Sequence, residues 1–274
     1  MNEEKLKEQL VALRQDDIDW ADVNVDELVE AMIEHTQTED LQLKEDIINP
    51  AIEEILVEGY ISEDSMEALA RRIITDDYLF LEIGDTASRN KMTRVFSCYI
   101  LYLLLKRDAK DVFLPTALFE QIRSRLLLYL DLEQDYRSYT ENMGAVNSII
   151  LSINALHEMI KSSRLDAKYY TEIFQTLLNK IFTFHTLYVY DEEKYTIEAI
   201  YSLLKKGFNE KKLIDFFIRV PEFLEKQQEK LNKQQYWNLY KNCKSLLQTM
   251  YIKIDLEKEN PLLLTEVKNC LIKL

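Results

Sequence analysis

Apolar residues recur every three or four positions along most of the chain, which is the spacing of amphipathic helices. Between residues 88 and 106, for example, Met92, Phe96, Tyr99 and Leu103 follow this spacing. Polar breaks, prolines and glycines interrupt it at short intervals. The pattern predicts about a dozen helices, at residues 3–14, 26–35, 40–48, 51–58, 63–74, 88–106, 115–132, 143–161, 166–185, 192–206, 209–219, 221–231, 233–254 and 262–274.

Local signals mark several boundaries of these predicted helices. Pro50 is typical of a helix start, where its missing N–H needs no partner. Gly59 and Gly207 are expected to end helices, since glycine adopts the left-handed conformation without strain. Ser62 and Asp191 are predicted N-caps, because their side-chain oxygens can accept hydrogen bonds from the first free N–H groups. These signals strengthen the prediction of an all-α protein.

The lengths and spacing of the helices predict how they pack. Loops of about three to eight residues favour antiparallel neighbours. Helix pairs recur every 40–50 residues or so, a spacing typical of degenerate HEAT or armadillo repeats. We therefore expect an α/α superhelix, with a compact irregular bundle as the alternative. No linker rich in serine or glycine divides the chain, so residues 1–274 are predicted to form a single domain.

The amino-acid composition agrees with an all-helical protein, and the charged residues are unevenly distributed along the chain. Only 4 glycines and 4 prolines occur, too few for the tight turns of a β-rich protein. Residues 1–90 contain 25 acidic and 7 basic side chains, against 23 and 27 in residues 91–274. An acidic half repels phosphate, so nucleic acid is not an expected partner. The acidic part could attract a basic protein, but a solvated face is the favoured interpretation.

Motifs for catalysis, cofactor binding or metal binding are not evident. The three cysteines are far apart, no CxxC pair occurs, and the three histidines are dispersed. No phosphate-binding glycine loop or nucleophile elbow is found. We therefore predict neither cofactor nor metal, and no enzymatic activity is favoured. The acidic N-terminal segment lacks a signal core, and the longest apolar run is about eight residues, so a cytoplasmic protein is expected.

One segment, YTENMGAVNSIILSINALHEMI at 139–160, raises the possibility of a site. Its predicted helix places an apolar stripe toward the core. A second stripe lies nearly opposite and contains Asn147, Leu151, Asn154 and Glu158. It could line a groove that binds a peptide or small molecule through the two asparagines. In the favoured alternative, Leu151 packs on a neighbouring helix and the asparagines are satisfied locally.

Two stretches of the sequence resemble a known family. One is LKEDIINPAIEEILVEGYIS at 43–62 with ALARRIITDDYLFLEIGDTASRNKMTRVFSCYILYLLL at 68–105. The other joins DLEQDYRSY at 131–139 to the 139–160 segment, and DEEKYTIEAIYSLLKKG follows at 191–207. In order and spacing they are similar to a bacterial family, the domain of unknown function 2785. The resemblance implies a HEAT-like superhelix and a bacterial cytoplasmic protein, but no established activity.

The resemblance also sets this chain apart at the 139–160 segment. The family pattern there is approximately Gly-Trp-x-His-x-x-x-His-Gly-x-Asp. Gly144 is kept, whereas the two histidine positions hold Asn147 and Leu151 and the aspartate position holds Asn154. Side chains that could bind a metal or transfer a proton are thus replaced by ones that cannot. The resemblance therefore implies a loss of that chemistry here.

Arg94 lies in the segment TRVFS, within the most family-like part of the chain. It could contact a ligand, but the favoured role is a buried ion pair with an acid from a neighbouring helix. The sequence as a whole favours a non-enzymatic scaffold that binds a protein or peptide. The alternative is an enzyme or small-molecule binder with its site in the superhelical groove.

Overall fold

Helices account for most of the chain in a computed structural model, which describes every residue from Met1 to Leu274. The all-α prediction is confirmed, and the only strands form one short hairpin. The helices are α1 (Glu3–Arg14), α2 (Val25–Glu34), α3 (Asn49–Glu58), α4 (Glu63–Ile73), α5 (Lys91–Asp111), α6 (Thr116–Leu132), α7 (Ser148–Lys161), α8 (Tyr170–Ile181), α9 (Glu192–Lys205), α10 (Glu210–Phe217), α11 (Val220–Gln228), α12 (Lys233–Glu257) and α13 (Pro261–Lys273).

The chain divides into two compact units, Met1–Met159 and Ile160–Leu274. In the first unit, α5 packs against both α3 and α4, and α1 packs against α2. In the second, the long helix α12 packs against α9, α11 and α13, and α8 packs against α9. A single domain and a superhelical stack both remain predictions.

Several predicted boundaries are confirmed by the backbone. Pro50 lies in the first turn of α3, and Gly59 ends that helix with a φ of 90°. The Ser62 hydroxyl accepts a hydrogen bond from the Ser65 N–H at 3.1 Å and so caps α4. Gly207 follows α9 with a φ of 94°. Local side-chain and backbone chemistry is enough to determine these ends.

Among the boundaries that differ from the sequence prediction, two lie at Asp191 and at residues 43–48. Asp191 precedes α9 in a left-handed conformation, with a φ of 62°, and its side chain makes no capping hydrogen bond. Leu43–Ile48 forms a π-helical turn that continues into α3, where an ordinary helix had been predicted. A π-turn adds a residue to one helical turn and is common at functional sites, and periodicity alone does not reveal it.

The longest apolar run, CYILYLLL at 98–105, lies in the middle of α5. Of these eight residues, all but Tyr99 and Tyr102 are fully buried. Their apolarity therefore follows from their place in the core of the first unit. No helix of the protein combines the length and the apolarity that crossing a bilayer would require.

Candidate functional site

The 139–160 segment begins as a β-hairpin and becomes helical later than predicted. Tyr139–Thr140 pairs antiparallel with Gly144–Ala145, and α7 starts only at Ser148. Gly144 has a φ of 67°, a conformation that an α-helix does not contain. The prediction of a helix from residue 143 was therefore wrong over its first turn, because the strand pairing takes precedence there.

The hairpin is anchored on the π-helical turn of residues 43–48. Glu45 Oε1 accepts a hydrogen bond from the Ala145 N–H at 2.9 Å. Lys44 Nζ donates to the carbonyl oxygen of Met143. A Cβ atom at Gly144 would collide with the Glu45 carboxylate. Glycine is thus favoured here by its backbone angle, and a side chain at this position would displace the Glu45 carboxylate from its bond to Ala145.

Asn147 acts as a cap at the N-terminus of α7. Its Oδ1 accepts a hydrogen bond from the Ile150 N–H at 3.1 Å, three residues further on. This bond satisfies one of the N–H groups that lack a partner at a helix start. Asn147 therefore lies just before the helix, and its amide oxygen is already engaged within the protein.

The other members of the predicted polar stripe do share one face of α7. Leu151, Asn154 and Glu158 are all half-buried, whereas Ile153 and Leu156 are fully buried. Leu151 packs against the cluster formed by Met92, Val95 and Val146. The local packing interpretation of Leu151 thus agrees with the structure, and a ligand role for this face remains a prediction.

Arg94 forms a buried ion pair with Glu133 at the end of α6. Its Nε donates to Glu133 Oε2 at 2.8 Å, and its Nη1 donates to the carbonyl oxygen of Leu81, also at 2.8 Å. Neither side chain of the pair is exposed to solvent. This is the structural role that the sequence favoured for Arg94.

Further polar groups surround the same carboxylate and form a buried ionic cluster: Lys91, Arg94, Tyr129, Glu133 and Asp135. The Tyr129 hydroxyl donates to Glu133 at 2.6 Å, and the Asp135 N–H donates to it at 2.9 Å. Lys91 Nζ lies 3.6 Å from Glu133 and donates to the Asp135 carbonyl oxygen at 2.6 Å. The cluster thereby joins α5, the end of α6 and the loop that leads to the hairpin.

The charged groups in this cluster shift each other's pKa values. Burial alone would raise the pKa of Glu133, but Lys91 and Arg94 outweigh it and lower that pKa to about 2. Burial lowers the pKa of Lys91, against the attraction of Glu133 and Asp135. Glu133 is therefore an anion held by cations and hydrogen bonds, which suits a structural ion pair better than proton transfer near neutral pH.

A polar cleft of about 580 Å³ lies beside the cluster in the first unit. Its walls include Arg89, Arg137, Glu39 and Glu141, and none of Arg94, Asn147 and Asn154 lines it. Arg137 is already paired with Asp135, its Nε donating at 2.9 Å. The cleft therefore brings together none of the residues that the sequence singled out.

A larger and more apolar cleft, of about 810 Å³, lies in the second unit between α8, α10 and α11. We call it the phenylalanine groove, after the four rings that line it: Phe174, Phe182, Phe216 and Phe223. The Phe216 ring centroid is 5.7 Å from that of Phe174 and 5.4 Å from that of Phe182. Phe223 stacks on Phe182 at 6.3 Å and is 37% exposed. The rings thus form a continuous aromatic floor.

Polar side chains also line this groove. Thr171, Gln175 and Asn179 line one side along α8, at intervals of four residues. Gln175 and Asn179 are exposed, and their amides make no hydrogen bond within the protein. Lys212 Nζ donates to Thr171 Oγ1 at 2.8 Å and joins α8 to α10 at that point. The groove therefore offers apolar contact below and unpaired donors and acceptors above.

Sequence reasoning did not find this groove. Its one signal is the distribution of phenylalanine, since seven of the eleven lie between residues 174 and 223. Apolar rings on helices are usually core residues, and here Phe174 is indeed buried while Phe223 is not. Only the packing of three separate helices determines which rings remain open to a ligand.

The described residues contain no group of three or more His, Cys, Asp or Glu side chains that could hold a metal ion.

Residues 79–252 match the model of a family described as "Protein of unknown function (DUF2785)". The matched range contains both the buried ionic cluster and the phenylalanine groove. No curated protein and no solved structure matches the chain.

Proposed function

We propose that this chain, which belongs to the DUF2785 family of proteins of unknown function, is a helical scaffold that binds a peptide segment of a partner protein. The binding site in this proposal is the phenylalanine groove of the second unit. The scaffold role is the one that the sequence favoured. The groove supports that role, although the sequence did not indicate a groove at these residues.

The observation that carries the proposal is the partial exposure of the aromatic floor. Phe182 and Phe216 are half-buried, and Phe223 is exposed, although a monomer gains by burying such rings. Contiguous apolar surface rimmed by polar groups is typical of interaction sites. Aromatic side chains in pockets also contribute most of the binding free energy in many protein interfaces.

The alternative of an enzyme or small-molecule binder has weaker support. It would be favoured by a pocket that contains Arg94, Asn147 or Asn154 together with a carboxylate of raised pKa. The polar cleft contains none of these three residues. Glu133, the buried carboxylate nearby, has a lowered pKa and is already held by two cations. The observed chemistry is that of a structural cluster.

A display selection tests the proposal directly. The purified protein is used to select from a random library of peptides of about twelve residues, and enriched peptides are titrated by fluorescence polarisation. We expect micromolar binders whose affinity falls at least tenfold with Phe223→Ala, because the ring supplies exposed apolar contact. Circular dichroism and thermal unfolding of the variant verify that it remains folded.

Trp237→Ala is the matched control. Trp237 is an aromatic residue of the same unit, 47% exposed on α12, and it does not line the groove. Its loss should leave the affinity of the selected peptides unchanged. A selection that enriches no peptide, or binding that is equally sensitive to Trp237→Ala and Phe223→Ala, would overturn the proposal.

A further inference from the structure

The phenylalanine groove has features that discriminate between kinds of peptide. Resting on the proposed function, we infer that its occupant is an extended peptide segment that runs along α8. In this arrangement Gln175 and Asn179 pair with its backbone, alternate apolar side chains contact the phenylalanine floor, and an acidic side chain meets Arg219. The spacing of the amides, their unpaired polar groups and the charge of the groove support this occupant.

The spacing of the amides along α8 matches an extended backbone. Residues four apart on a helix are separated by about 6 Å along its axis, because each residue rises about 1.5 Å. Two residues of an extended chain span about 6.6 Å. Gln175 and Asn179 can therefore face two alternate residues, one each, of a segment that lies parallel to the helix axis.

The chemistry of the amide side chain suits this arrangement. Each carries an N–H₂ donor and a C=O acceptor, which complement the C=O and N–H of one residue of an extended chain, because those two groups point to the same edge. Both side chains are exposed and unpaired in the protein alone, so binding does not require an internal bond to break. Thr171, one helical turn before Gln175, is already bound to Lys212, and this pair bounds the amide row at that end.

The floor of the groove agrees with a two-residue repeat in the peptide. Side chains of an extended chain alternate between two faces, so every second one points the same way. With the backbone held by α8, one set faces the rings of Phe182, Phe216 and Phe223. The other set faces solvent and can be polar. The groove therefore fits a segment in which apolar and polar residues alternate.

Charge favours an acidic residue in the solvent-facing set. The second unit contains 19 basic and 15 acidic residues, although the whole chain has a net charge of −14. Lys212 and Arg219 line the groove, against the single acid Asp215. Arg219 is exposed and forms no direct ion pair within the protein. Glu222 is bonded to Lys226, and Lys226 together with Arg219 lowers the pKa of that carboxylate. A carboxylate of the peptide would give Arg219 the direct, hydrogen-bonded ion pair that it does not form within the protein.

An amphipathic helix or an apolar small molecule fits less well. The backbone N–H and C=O groups of a helix are bonded within the helix itself and cannot pair with side-chain amides. Either occupant would cover Gln175 and Asn179 without giving them partners. Each polar group buried in this way costs about 1–3 kcal/mol. An extended segment is the occupant that satisfies both amides.

N-methylation of the peptide backbone tests the binding mode. A peptide from the display selection is synthesised as a series in which each backbone N–H is methylated in turn. Methylation removes one donor without changing the side chains. For an extended segment held by two amides, we expect losses of about fivefold or more at alternate positions and little effect between them.

Matched variants of the protein complete the experiment. Gln175→Ala and Asn179→Ala should each weaken peptide binding about fivefold to tenfold. In each variant, N-methylation at one of the two sensitive backbone positions should then cause no further loss of affinity. Gln234→Ala, an exposed amide on α12 outside the groove, should change nothing. Arg219→Glu should shift the peptides selected by the library from acidic to basic.

The outcomes separate this inference from the proposed function. Peptides that bind and depend on Phe223, but show no alternation on methylation and no loss with Gln175→Ala or Asn179→Ala, would overturn the extended mode and leave the scaffold role standing. The extended mode would also be overturned if an apolar small molecule displaced every peptide and its affinity were unchanged by Gln175→Ala and Asn179→Ala. A selection without any binder would overturn the proposed function itself.

Discussion

Arg94 on α5 and Glu133 at the end of α6 form an ion pair from which solvent is excluded, with Arg94 Nε 2.8 Å from Glu133 Oε2. A buried pair contributes less to stability than its distance suggests, because both ions lose hydration. Removal of one partner is costly, however, since the other charge remains buried. The pair is therefore best understood as a constraint that holds α5 and α6 in one arrangement.

Glu133→Gln should destabilise the protein strongly, because Arg94 and Lys91 would then lose the carboxylate that lies between them and pairs with both. We expect the free energy of unfolding to fall by about 3–5 kcal/mol. Urea denaturation monitored by circular dichroism measures the change. Glu39→Gln is the matched control, since its partner Arg89 is 86% exposed and the pair is 3.4 Å apart. That control should stay within about 0.5 kcal/mol of the parent, and equal losses in the two variants would contradict the prediction.

The same carboxylate gives the stability a defined dependence on pH. The folded protein lowers the pKa of Glu133 to about 2, below its value of 4.5 in the unfolded chain. Its stabilising contribution is therefore complete above about pH 4.5 and is lost as pH falls toward 2. Unfolding free energies measured at pH 6, 4 and 3 should converge for the parent and Glu133→Gln. A difference that is constant over this range would refute the assignment.

Gly144→Ala should be more damaging than an alanine at another left-handed glycine. Gly84 has a φ of 90°, and a Cβ atom there would meet nothing within 4 Å, so Gly84→Ala measures backbone strain alone. That strain is about 1–2 kcal/mol. At Gly144 the same strain is joined by a collision with the Glu45 carboxylate. Thermal unfolding measures the loss of stability in each of the two variants. Equal losses would show that the Glu45 carboxylate moves aside without cost, and would contradict the prediction.

Asn147 and Asn154 should differ in their effect on stability although both are half-buried asparagines. Asn147→Ala removes the N-cap of α7 and should cost about 1 kcal/mol. Asn154 makes no side-chain hydrogen bond within the protein, so Asn154→Ala should change stability by less than about 0.5 kcal/mol. Chemical denaturation of both variants makes the comparison. A larger loss of stability for Asn154→Ala than for Asn147→Ala would contradict the prediction, because it would mean that Asn154 contributes an interaction within the folded protein.

The α7 region illustrates the limits of periodicity. The spacing of Ile153 and Leu156 correctly predicted a helix and its core face, because those positions repeat with the helical period. The same pattern does not predict that Tyr139–Thr140 and Gly144–Ala145 pair as two strands. Glu45, a hundred residues from its hydrogen-bond partner Ala145, lies where the hairpin must dock. A contact so distant in sequence leaves no local signal.

The helical class, the core faces and many helix ends follow from the sequence alone, since these depend on residues within a few positions of each other. The sequence also identified Arg94 as a candidate for burial in an ion pair, but not Glu133 as its partner. Which charges form pairs and which phenylalanine rings remain exposed depends on the packing of elements that are distant in sequence. Burial is a property of neighbouring elements: Phe174 and Phe223 are the same residue type on helices, and the packing of α8, α10 and α11 alone makes one of them core and the other surface.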